Sequence, residues 1–309
     1  MKRVIVTGAT RFIGVPLVKR LLEGPYQVIS IVRPNSIKTA SLPNTDKIRT
    51  IEAEMNDYRN LADLIQEPCD IYFSLAWSGT RGADRNNKDM QEENYRFSME
   101  ALTSILSLGC KRVISAGSQA EYGQYNCKIS EDTKELPVTE YGKYKLKYYY
   151  DAYRVCEEKK IDFKEPRFFS LYGENDFEGT MMISMIKKML ENKDCHLTEC
   201  VQMWDFLYIA DAIEGMMALI QKSCANGAYN FGSGITKPLK EYVEEMHRLT
   251  NSKSKLLYGS VPYPATGMVS IEPDITKLKA ETGWRPEVPF PEGVKKIIDK
   301  IKWSIEHER

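Results

Sequence analysis

A tyrosine and a lysine four residues apart, Tyr141 and Lys145, form the clearest chemical pair in the sequence. They lie in "TEYGKYKLKYYYDAYRVCEEK", which we predict to be a helix, and the spacing places both side chains on one face. An ammonium group beside a phenol favours the phenolate and lowers the tyrosine pKa toward a range useful for acid–base catalysis. Upstream, a predicted strand ends at Ser118, whose hydroxyl could hydrogen-bond a substrate carbonyl. Alone, the pair could be a helix face rich in tyrosine and lysine; together with Ser118 it predicts an acid–base site.

The start of the chain contains a glycine turn suited to a dinucleotide. In "VTGATRFIG" a predicted strand runs into Gly8, and Gly14 lies where the next helix begins. Gly8 permits a tight turn, and Gly14 lets helix and strand pack closely; the helix N-terminus then offers N–H groups to a pyrophosphate. Arg11 stands where a middle glycine is usual. The turn predicts a dinucleotide site, with an ordinary strand-to-helix connection as the alternative.

Short β-rich segments alternate with helical patterns through the first half of the chain. The predicted strands are RVIVTG, QVISIV, IRTIEAEM, DIYFSLAW and KRVISAGS. This alternation predicts an α/β fold with a doubly wound parallel sheet, the Rossmann arrangement, and a smaller, intertwined C-terminal α/β lobe. We predict a dinucleotide-binding domain at residues 1–169, with 203–234 returning to it, and a substrate-binding lobe at 170–202 and 235–309.

The residues after the second predicted strand bear on the choice of cofactor. A site that prefers NAD places an Asp or Glu there to hold the ribose 2′-hydroxyl, whereas this chain has Arg33, followed by Ser36. A carboxylate would repel a 2′-phosphate, and a guanidinium can bind it with two hydrogen bonds. Arg11, on the neighbouring turn, could reach the same phosphate or stack on the adenine. We predict NADP(H) as the preferred cofactor and NAD as the alternative; a solvated Arg33 and a degenerate turn would be the contrary explanation.

With these residues in view, essentially the whole chain resembles the extended short-chain dehydrogenase/reductase family, the NAD-dependent epimerase/dehydratase group that modifies nucleotide sugars. The similar segments are TGATRFIG, DIYFSLAW, SQAEYG, YGKYK, PRFFSLYGEND, WDFLYIADAIEGM, AYNFGSG and DITKLKAETGWRPEVPFPEGVKKII. The resemblance implies that Tyr141 is the acid/base, that Lys145 lowers its pKa and holds the nicotinamide ribose, and that Ser118 polarises the substrate carbonyl. It also implies a nucleotide-sugar substrate and a homodimer that pairs two helices of each subunit.

The same similarity supplies the residues expected around the two ligands. The expected cofactor-binding residues are Gly8, Thr10, Arg11, Phe12, Ile13, Gly14, Arg33, Ser36, Glu54, Met55, Leu75, Ala76, Asn94, Tyr141, Lys145 and Phe168. The expected substrate-binding residues are Trp77, Ser78, Thr80, Gln119, Phe169, Ser170 and Trp204. Core packing explains Trp77 and Phe169 equally well. A metal site is not predicted, because the histidines and cysteines lack the spacing of a complete ligand set.

Departures from the family pattern narrow the expected reaction. Dehydratases of this group carry an Asp-Glu pair directly after the catalytic hydroxyl residue, where this chain has Gln119 and Ala120, so elimination of water is not expected. Trp204 replaces an arginine that usually grips the substrate diphosphate. The residues that could take over that contact are Lys187, Lys188 and Arg285.

The composition excludes several classes of protein. The chain has 309 residues, and its 43 basic and 43 acidic side chains cancel, which gives no sign of a nucleic-acid or membrane partner. The longest apolar runs fall short of the roughly 20 residues that span a bilayer. Seven scattered cysteines without a CxxC pair suit a reducing compartment. We therefore expect a cytoplasmic protein.

Cofactor preference and reaction type are linked. Epimerases of this group recycle a retained NAD, whereas a reductase consumes NADPH, and SQAEYG with WDFLYI resembles the nucleotide-activated 4-keto-6-deoxyhexose reductases. We therefore expect an NADPH-dependent reductase that delivers hydride to C4 of a nucleotide-activated 4-keto sugar, with Tyr141 as the proton donor. An NAD-dependent sugar-nucleotide epimerase is the first alternative, and a non-catalytic NADP-binding regulator is the second.

Overall fold

A computed structural model describes residues 1–263 and 268–307 of the chain. The strands are β1 (Lys2–Thr7), β2 (Tyr26–Val32), β3 (Ile48–Glu52), β4 (Ile71–Ser74), β5 (Arg112–Ser115), β6 (Gly117–Ser118), β7 (Asp162–Phe168), β8 (Leu171–Tyr172), β9 (Cys195–His196), β10 (Met203–Trp204), β11 (Leu207–Tyr208), β12 (Gly227–Phe231), β13 (Lys237–Pro238) and β14 (Leu256–Leu257). The α-helices are α1 (Gly14–Leu22), α2 (Leu61–Ile65), α3 (Lys88–Leu106), α4 (Glu140–Glu158), α5 (Met181–Leu190), α6 (Ile209–Gln221), α7 (Leu239–Thr250), α8 (Thr276–Thr282) and α9 (Phe290–His307). Short 3₁₀ helices lie at Ile37–Ser41, Met55–Asn60, Gly82–Asn86 and Gln119–Glu121.

Eight strands form one sheet in the order β12-β7-β5-β4-β1-β2-β3, with β6 also paired to β7. Every pair in this sheet is parallel; Val4 of β1, for example, lies opposite Val28 on one side and Ile71 on the other. Helices cover both faces, so the central strands are continuous apolar runs. The strand order reverses between β1 and β4, and ligands of such sheets bind at the carboxyl ends of the strands beside this point. The predicted Rossmann fold is confirmed.

Strand β7 is not among the strands predicted from the alternation, and charged side chains explain why. Lys164, Glu165 and Arg167 interrupt the apolar pattern, yet all three are fully buried. The Arg167 guanidinium lies 2.8 Å from a carboxylate oxygen of Glu121 and 3.1 Å from one of Glu165, so the charges are paired inside the protein. Burial and the nearby Glu121 raise the pKa of Glu165 well above its usual range.

The chain after β7 adds small two-stranded pairings beside the main sheet. Strand β8 pairs with β11, β9 with β14 and β10 with β13. An aromatic cluster joins these elements, with the Phe206 ring 5.9 Å from that of Tyr172 and 5.1 Å from that of Tyr242. The division into two lobes at the boundaries given above stays a prediction; its segments 264–267 and 308–309 lie outside the described residues. Within residues 1–263 and 268–307, no helix combines the length and apolar character needed to cross a membrane.

Candidate active site

The glycine turn between β1 and α1 is closed and tight. Gly8 has a φ of +72°, and a Cβ atom there would lie 2.8 Å from the backbone carbonyl carbon of Leu75. A Cβ atom on Gly14 would lie 2.2 Å from the carbonyl oxygen of Gly8, closer than any side chain allows. The Arg11 backbone N–H donates to that same Gly8 oxygen at 3.1 Å. Arg11 therefore does not disrupt the turn.

Two arginines give one end of the cleft a positive charge. Arg11 and Arg33 both line the cleft, and partial burial followed by the charge of Arg33 lowers the pKa of Arg11. The two guanidinium groups are therefore close enough to repel each other. Among the described residues, neither arginine forms a salt bridge with a carboxylate. An unpaired double cation of this kind fits a phosphate group.

Ser118 lies at the carboxyl end of the sheet and is held by a capping box. Its hydroxyl oxygen accepts a hydrogen bond from the Ala120 N–H at 3.2 Å, and its own N–H donates to the Glu121 carboxylate at 2.7 Å. Glu121 is fully buried and also contacts Arg167. The backbone of Ser118 is thus fixed by charged groups beneath it, which leaves its hydroxyl lining the cleft.

Helix α4 supplies the other two members of the predicted site. Thr139 precedes it and accepts a hydrogen bond from the Gly142 N–H at 3.1 Å, which confirms Thr139 as the N-cap. Tyr141 and Lys145 lie on the buried face, 7% and 4% exposed. The Lys145 ammonium donates to the Ala116 carbonyl at 2.7 Å and lies 3.9 Å from the centre of a Trp77 ring. Burial lowers the pKa of Lys145 to about 8, although Glu121 and Glu165 favour its charged form.

The ionisation of Tyr141 differs from the expectation based on spacing. Burial raises the pKa of Tyr141 to about 12, and the Ser118 hydroxyl and the Arg85 guanidinium oppose this rise. The ammonium of Lys145, four residues later, donates a hydrogen bond to the Ala116 carbonyl. Sequence spacing places the two residues on one helix face, but burial and hydrogen bonding decide the pKa. The buried phenol is therefore protonated at neutral pH.

Most of the expected residues line a single cleft at the carboxyl edge of the sheet, with a volume of about 2240 Å³. That volume exceeds the usual size of a site for one small ligand. The lining residues from the cofactor set are Thr10, Arg11, Phe12, Ile13, Gly14, Arg33, Leu75, Tyr141, Lys145 and Phe168. The lining residues from the substrate set are Trp77, Ser78, Thr80, Gln119, Phe169, Ser170 and Trp204. Ser118 also lines the cleft.

Six of the expected cofactor residues are absent from the lining of the cleft, which is formed by residues within 1–263 and 268–307. They are Gly8, Ser36, Glu54, Met55, Ala76 and Asn94. Asn94 is buried and binds the backbone N–H and carbonyl of Ser78, both at 2.9 Å, so it supports the loop that follows β4. Met55 lies behind the same loop, where its sulfur accepts from the Ser78 hydroxyl at 3.9 Å. Glu54 is exposed just before a 3₁₀ helix.

The other three contribute through the backbone or through packing. Gly8 shapes the turn, as described above, without lining the cleft. Ala76 and Trp77 pack against the buried cluster that includes Tyr72 and Tyr148. The Ser36 N–H donates to the Arg33 carbonyl at 3.3 Å, which stabilises the turn that carries Arg33. These three residues are therefore better positioned to support the expected cofactor-binding residues than to contact a ligand themselves.

The tryptophans of the substrate set are both half-buried and hydrogen-bonded. The Trp77 indole N–H donates to Gln91 at 2.8 Å, and that of Trp204 donates to the Ser170 hydroxyl at 3.1 Å. Trp77 also packs edge-on against Tyr141, with ring centres 6.4 Å apart. Both tryptophans therefore pack against neighbouring side chains and also line the cleft.

The cations near the substrate end are not the ones expected from the sequence. Lys187, Lys188 and Arg285 are absent from the cleft lining formed by the described residues, and Lys187 pairs with Glu178 at 2.7 Å. The cations that line it, besides Arg11, Arg33 and Lys145, include Arg81, Arg85, Lys296 and Lys300. Arg81 directly precedes the 3₁₀ helix Gly82–Asn86, which contains Arg85, and the two lysines lie on the distant helix α9. Local sequence periodicity holds no signal for either placement.

The arrangement agrees with a comparison against protein-family models. The model for the epimerase family, described as the NAD dependent epimerase/dehydratase family, matches residues 4–232. The chain belongs to this family. Its members of known name are enzymes, and the chain is accordingly an NAD(P)-dependent enzyme of the extended short-chain dehydrogenase/reductase type.

Relatives from this family cover nearly the whole chain. CDP-abequose synthase of Salmonella muenchen is 25% identical, over 96% of this chain and 97% of the relative. The dTDP-4-dehydro-6-deoxyglucose reductase of Escherichia coli is 24% identical, over 97% of both chains. Among solved structures, the UDP-glucuronic acid 4-epimerase from Bacillus cereus in complex with NAD has a TM-score of 0.83 at 22% identity, covering 97% of this chain and 99% of that one. The structural similarity shows a shared fold.

Proposed function

We propose that this enzyme reduces the C4 keto group of a nucleotide-activated 4-keto sugar with NADPH, with Tyr141 as the proton donor. The observation behind the proposal is one cleft that brings Ser118, Tyr141 and Lys145 together with the unpaired Arg11 and Arg33. The first three residues suit proton transfer to a carbonyl oxygen, and the two arginines suit a 2′-phosphate.

The residues of the turn fit a dinucleotide. The N-terminus of α1 lies beside the cleft with no acidic residue in its first turn, so its N–H groups and dipole favour a pyrophosphate. Thr10 and Ile13 line this end, and Lys145, which lines the same cleft, would hold the ribose of the nicotinamide half. When bound, NADPH would supply a hydride to sugar C4 and become NADP.

The protein's own part in the reaction is proton transfer and orientation. The Ser118 hydroxyl would hydrogen-bond the carbonyl oxygen at C4, which holds it beside the phenol. As the carbon gains a hydride, the electron pair of the C=O bond moves to oxygen, and Tyr141 transfers its proton there. The ketone becomes an alcohol, and the tyrosine, left as a phenolate, regains a proton from water.

The family relatives support a nucleotide-sugar substrate, and one of them is named as a reductase. The names of the S. muenchen synthase and the E. coli reductase refer to a CDP-sugar and to a 4-dehydro-6-deoxy sugar nucleotide. Gln119 and Ala120 stand where a dehydratase needs carboxyl groups, and the nearby Glu121 is fully buried in its pairing with Arg167. Water elimination would lack the carboxyl pair directly after Ser118 that supplies its acid and base in a dehydratase.

An NAD-dependent C4 epimerase is the second candidate function. Oxidation and re-reduction at C4 need the same Ser118, Tyr141 and Lys145, and the B. cereus relative is an epimerase solved with NAD. An epimerase would release bound NAD when the purified protein is denatured. It would also interconvert C4 epimers of a nucleotide sugar without added cofactor.

A cofactor-oxidation assay across nucleotide 4-keto sugars, with NADPH and NADH in parallel, tests the proposal. We expect at least one sugar to oxidise NADPH faster than NADH, with loss of activity in Tyr141→Phe. Absence of NADPH oxidation with every sugar would contradict a reductase. Release of NAD together with C4 epimerisation would establish the second candidate instead.

A homodimer formed through α3 and α4 and a cytoplasmic location stay predictions. Tyr150 on α4 is exposed, and exposed tyrosines are enriched at interfaces between subunits. Light scattering on the purified protein would measure the subunit number. Fractionation of the source cells would locate the protein.

A further inference from the structure

A second cation lies against the tyrosine of the site. The guanidinium carbon of Arg85 lies 4.8 Å from the centre of the Tyr141 ring, over its face. Arg85 belongs to the 3₁₀ helix Gly82–Asn86, which leads into α3 and packs against α4. Its side chain lines the cleft and is partly shielded from solvent. The position brings a positive charge to the reacting end of the cleft.

The charge of Arg85 is not neutralised by the protein itself. Within residues 1–263 and 268–307, no carboxylate forms a salt bridge with it. Arg81, four residues earlier in the same loop, is different, because it pairs with Asp176 at 2.8 Å and lies over the Phe177 ring. An unpaired guanidinium stacked on a phenol ring is free to act on that ring's charge.

The other charged groups near Tyr141 either disfavour its phenolate or are engaged elsewhere. Glu121, beside Ser118, and Glu165, on β7, both raise the pKa of Tyr141. Lys145 lies on the same helix as Tyr141, and its ammonium donates a hydrogen bond to the Ala116 carbonyl. Arg85 is thus the cation that covers the ring and counters the two carboxyl groups.

We propose that Arg85 is a positioning residue of the acid–base site, whose charge stabilises the phenolate formed when Tyr141 gives up its proton. The proposal rests on the proposed function only in making Tyr141 the acid–base group, and it holds for a reductase and an epimerase alike. A reaction at C4 needs the phenolate as product in one direction and as base in the other. A cation within about 5 Å of the ring lowers the free energy of that form in both directions.

The ionisation of Tyr141 itself provides a test that does not depend on turnover. Tyr141 is replaced by 3,5-difluorotyrosine, whose lower intrinsic pKa brings the ionisation into a range where the protein is folded, and ¹⁹F NMR follows the titration. Arg85→Gln should raise the pKa of the fluorinated residue by about 1, whereas Arg85→Lys, which keeps the charge, should leave it within a few tenths. The control is Arg96→Gln, which removes an arginine that lies over the Phe97 ring on α3, outside the cleft lining, and should have no effect.

Kinetics in the oxidising direction provide the second measurement. Below the pKa of Tyr141 the rate follows the phenolate fraction, so Arg85→Gln should lower kcat about tenfold at each pH and shift the rising limb to higher pH. The KM for the sugar should change less than about twofold, and Arg85→Lys should recover most of kcat.

Three results would overturn the inference. An unchanged pKa of the fluorinated tyrosine in Arg85→Gln would remove its basis. Equal effects of Gln and Lys at position 85 would assign Arg85 a packing role. A raised KM with unchanged kcat would make it a substrate-binding residue instead. If the wild-type enzyme turned over none of the sugars, the proposed function would fail while the titration still decided the role of Arg85.

Discussion

Replacement of Arg33 by glutamine tests whether the charge of this side chain produces the proposed preference for NADPH over NADH. Arg33 follows β2, lines the cleft and lies close enough to Arg11 to lower that residue's pKa. Glutamine keeps a hydrogen-bond donor but removes the charge, so it should affect a 2′-phosphate and spare a 2′-hydroxyl. We expect weaker binding of NADPH and unchanged binding of NADH.

The exposure of the two arginines sets the size of the effect. A hydrogen bond between charged groups contributes about 1.5–3 kcal/mol when well shielded. Arg11 and Arg33 are both largely exposed, so solvent screening places each near the lower limit. A loss of about 1.4 kcal/mol corresponds to a roughly tenfold rise in the Kd for NADPH.

Titration of protein fluorescence with NADPH and with NADH measures the two Kd values directly. Arg11→Gln should produce a loss of similar size, and Arg49→Gln is the matched control, because Arg49 lies on β3 and pairs with Glu67 at 2.6 Å. Added salt should reduce the wild-type preference for NADPH more than that of Arg33→Gln, since it screens exposed charges. Equal weakening of NADH and NADPH, or no weakening of either, would refute a phosphate-binding role for the pair.

Three further predictions concern the site and its support. Tyr141→Phe keeps the ring against Trp77 but removes the proton donor, so turnover should fall by about 10²–10⁴ while the cofactor Kd is retained; unchanged turnover would exclude Tyr141 as the acid. Gly14→Ala would place a Cβ atom 2.2 Å from the Gly8 carbonyl oxygen, so the turn must open and cofactor affinity should fall at least about tenfold by titration; normal affinity would mean that the turn tolerates the movement. Burial lowers the pKa of Lys145 from an ordinary value of 10.5 to about 8 in the folded chain. Below pH 8, Lys145 is protonated in both the folded and the unfolded chain, and the desolvation of its charge lowers the free energy of unfolding. Between pH 8 and 10.5 the folded chain loses this proton while the unfolded chain keeps it, so the free energy of unfolding should rise by up to about 3 kcal/mol relative to that of Lys145→Met. If urea unfolding gave the same difference between wild type and Lys145→Met at both pH values, Lys145 would not be desolvated.

Local patterns in the sequence were sufficient for the fold class and for the grouping of the candidate site residues in one cleft. The glycines at 8 and 14 are dictated by backbone geometry inside a single turn, which any sequence with that turn must satisfy. The face shared by Tyr141 and Lys145 follows from helical spacing, and Thr139 caps that helix as its residue type predicts. These signals act over a few residues, so no knowledge of distant contacts is needed to see them.

Strand β7 shows where local pattern fails. Its charged residues disagree with the apolar pattern expected of an interior strand. They are tolerated there because Arg167 pairs with Glu121, 46 positions away in the sequence, and this pairing can be recognised only in the folded protein. The cleft cations Lys296 and Lys300 come from the last helix for the same reason. Whether a buried charge is tolerated depends on the partner that the fold places beside it.

Chemistry at the site depends on distances that only the tertiary structure sets. From the sequence, Tyr141 and Lys145 are an acid–base pair, and Arg11 is a departure from a glycine pattern. In the folded chain, burial raises the pKa of Tyr141, Lys145 binds a backbone carbonyl, and Arg85 covers the phenol ring. Residue types and short spacings are local properties of the chain, whereas desolvation and the approach of charges are properties of the packed protein, so the sequence determined which groups are present and the fold decided how they ionise.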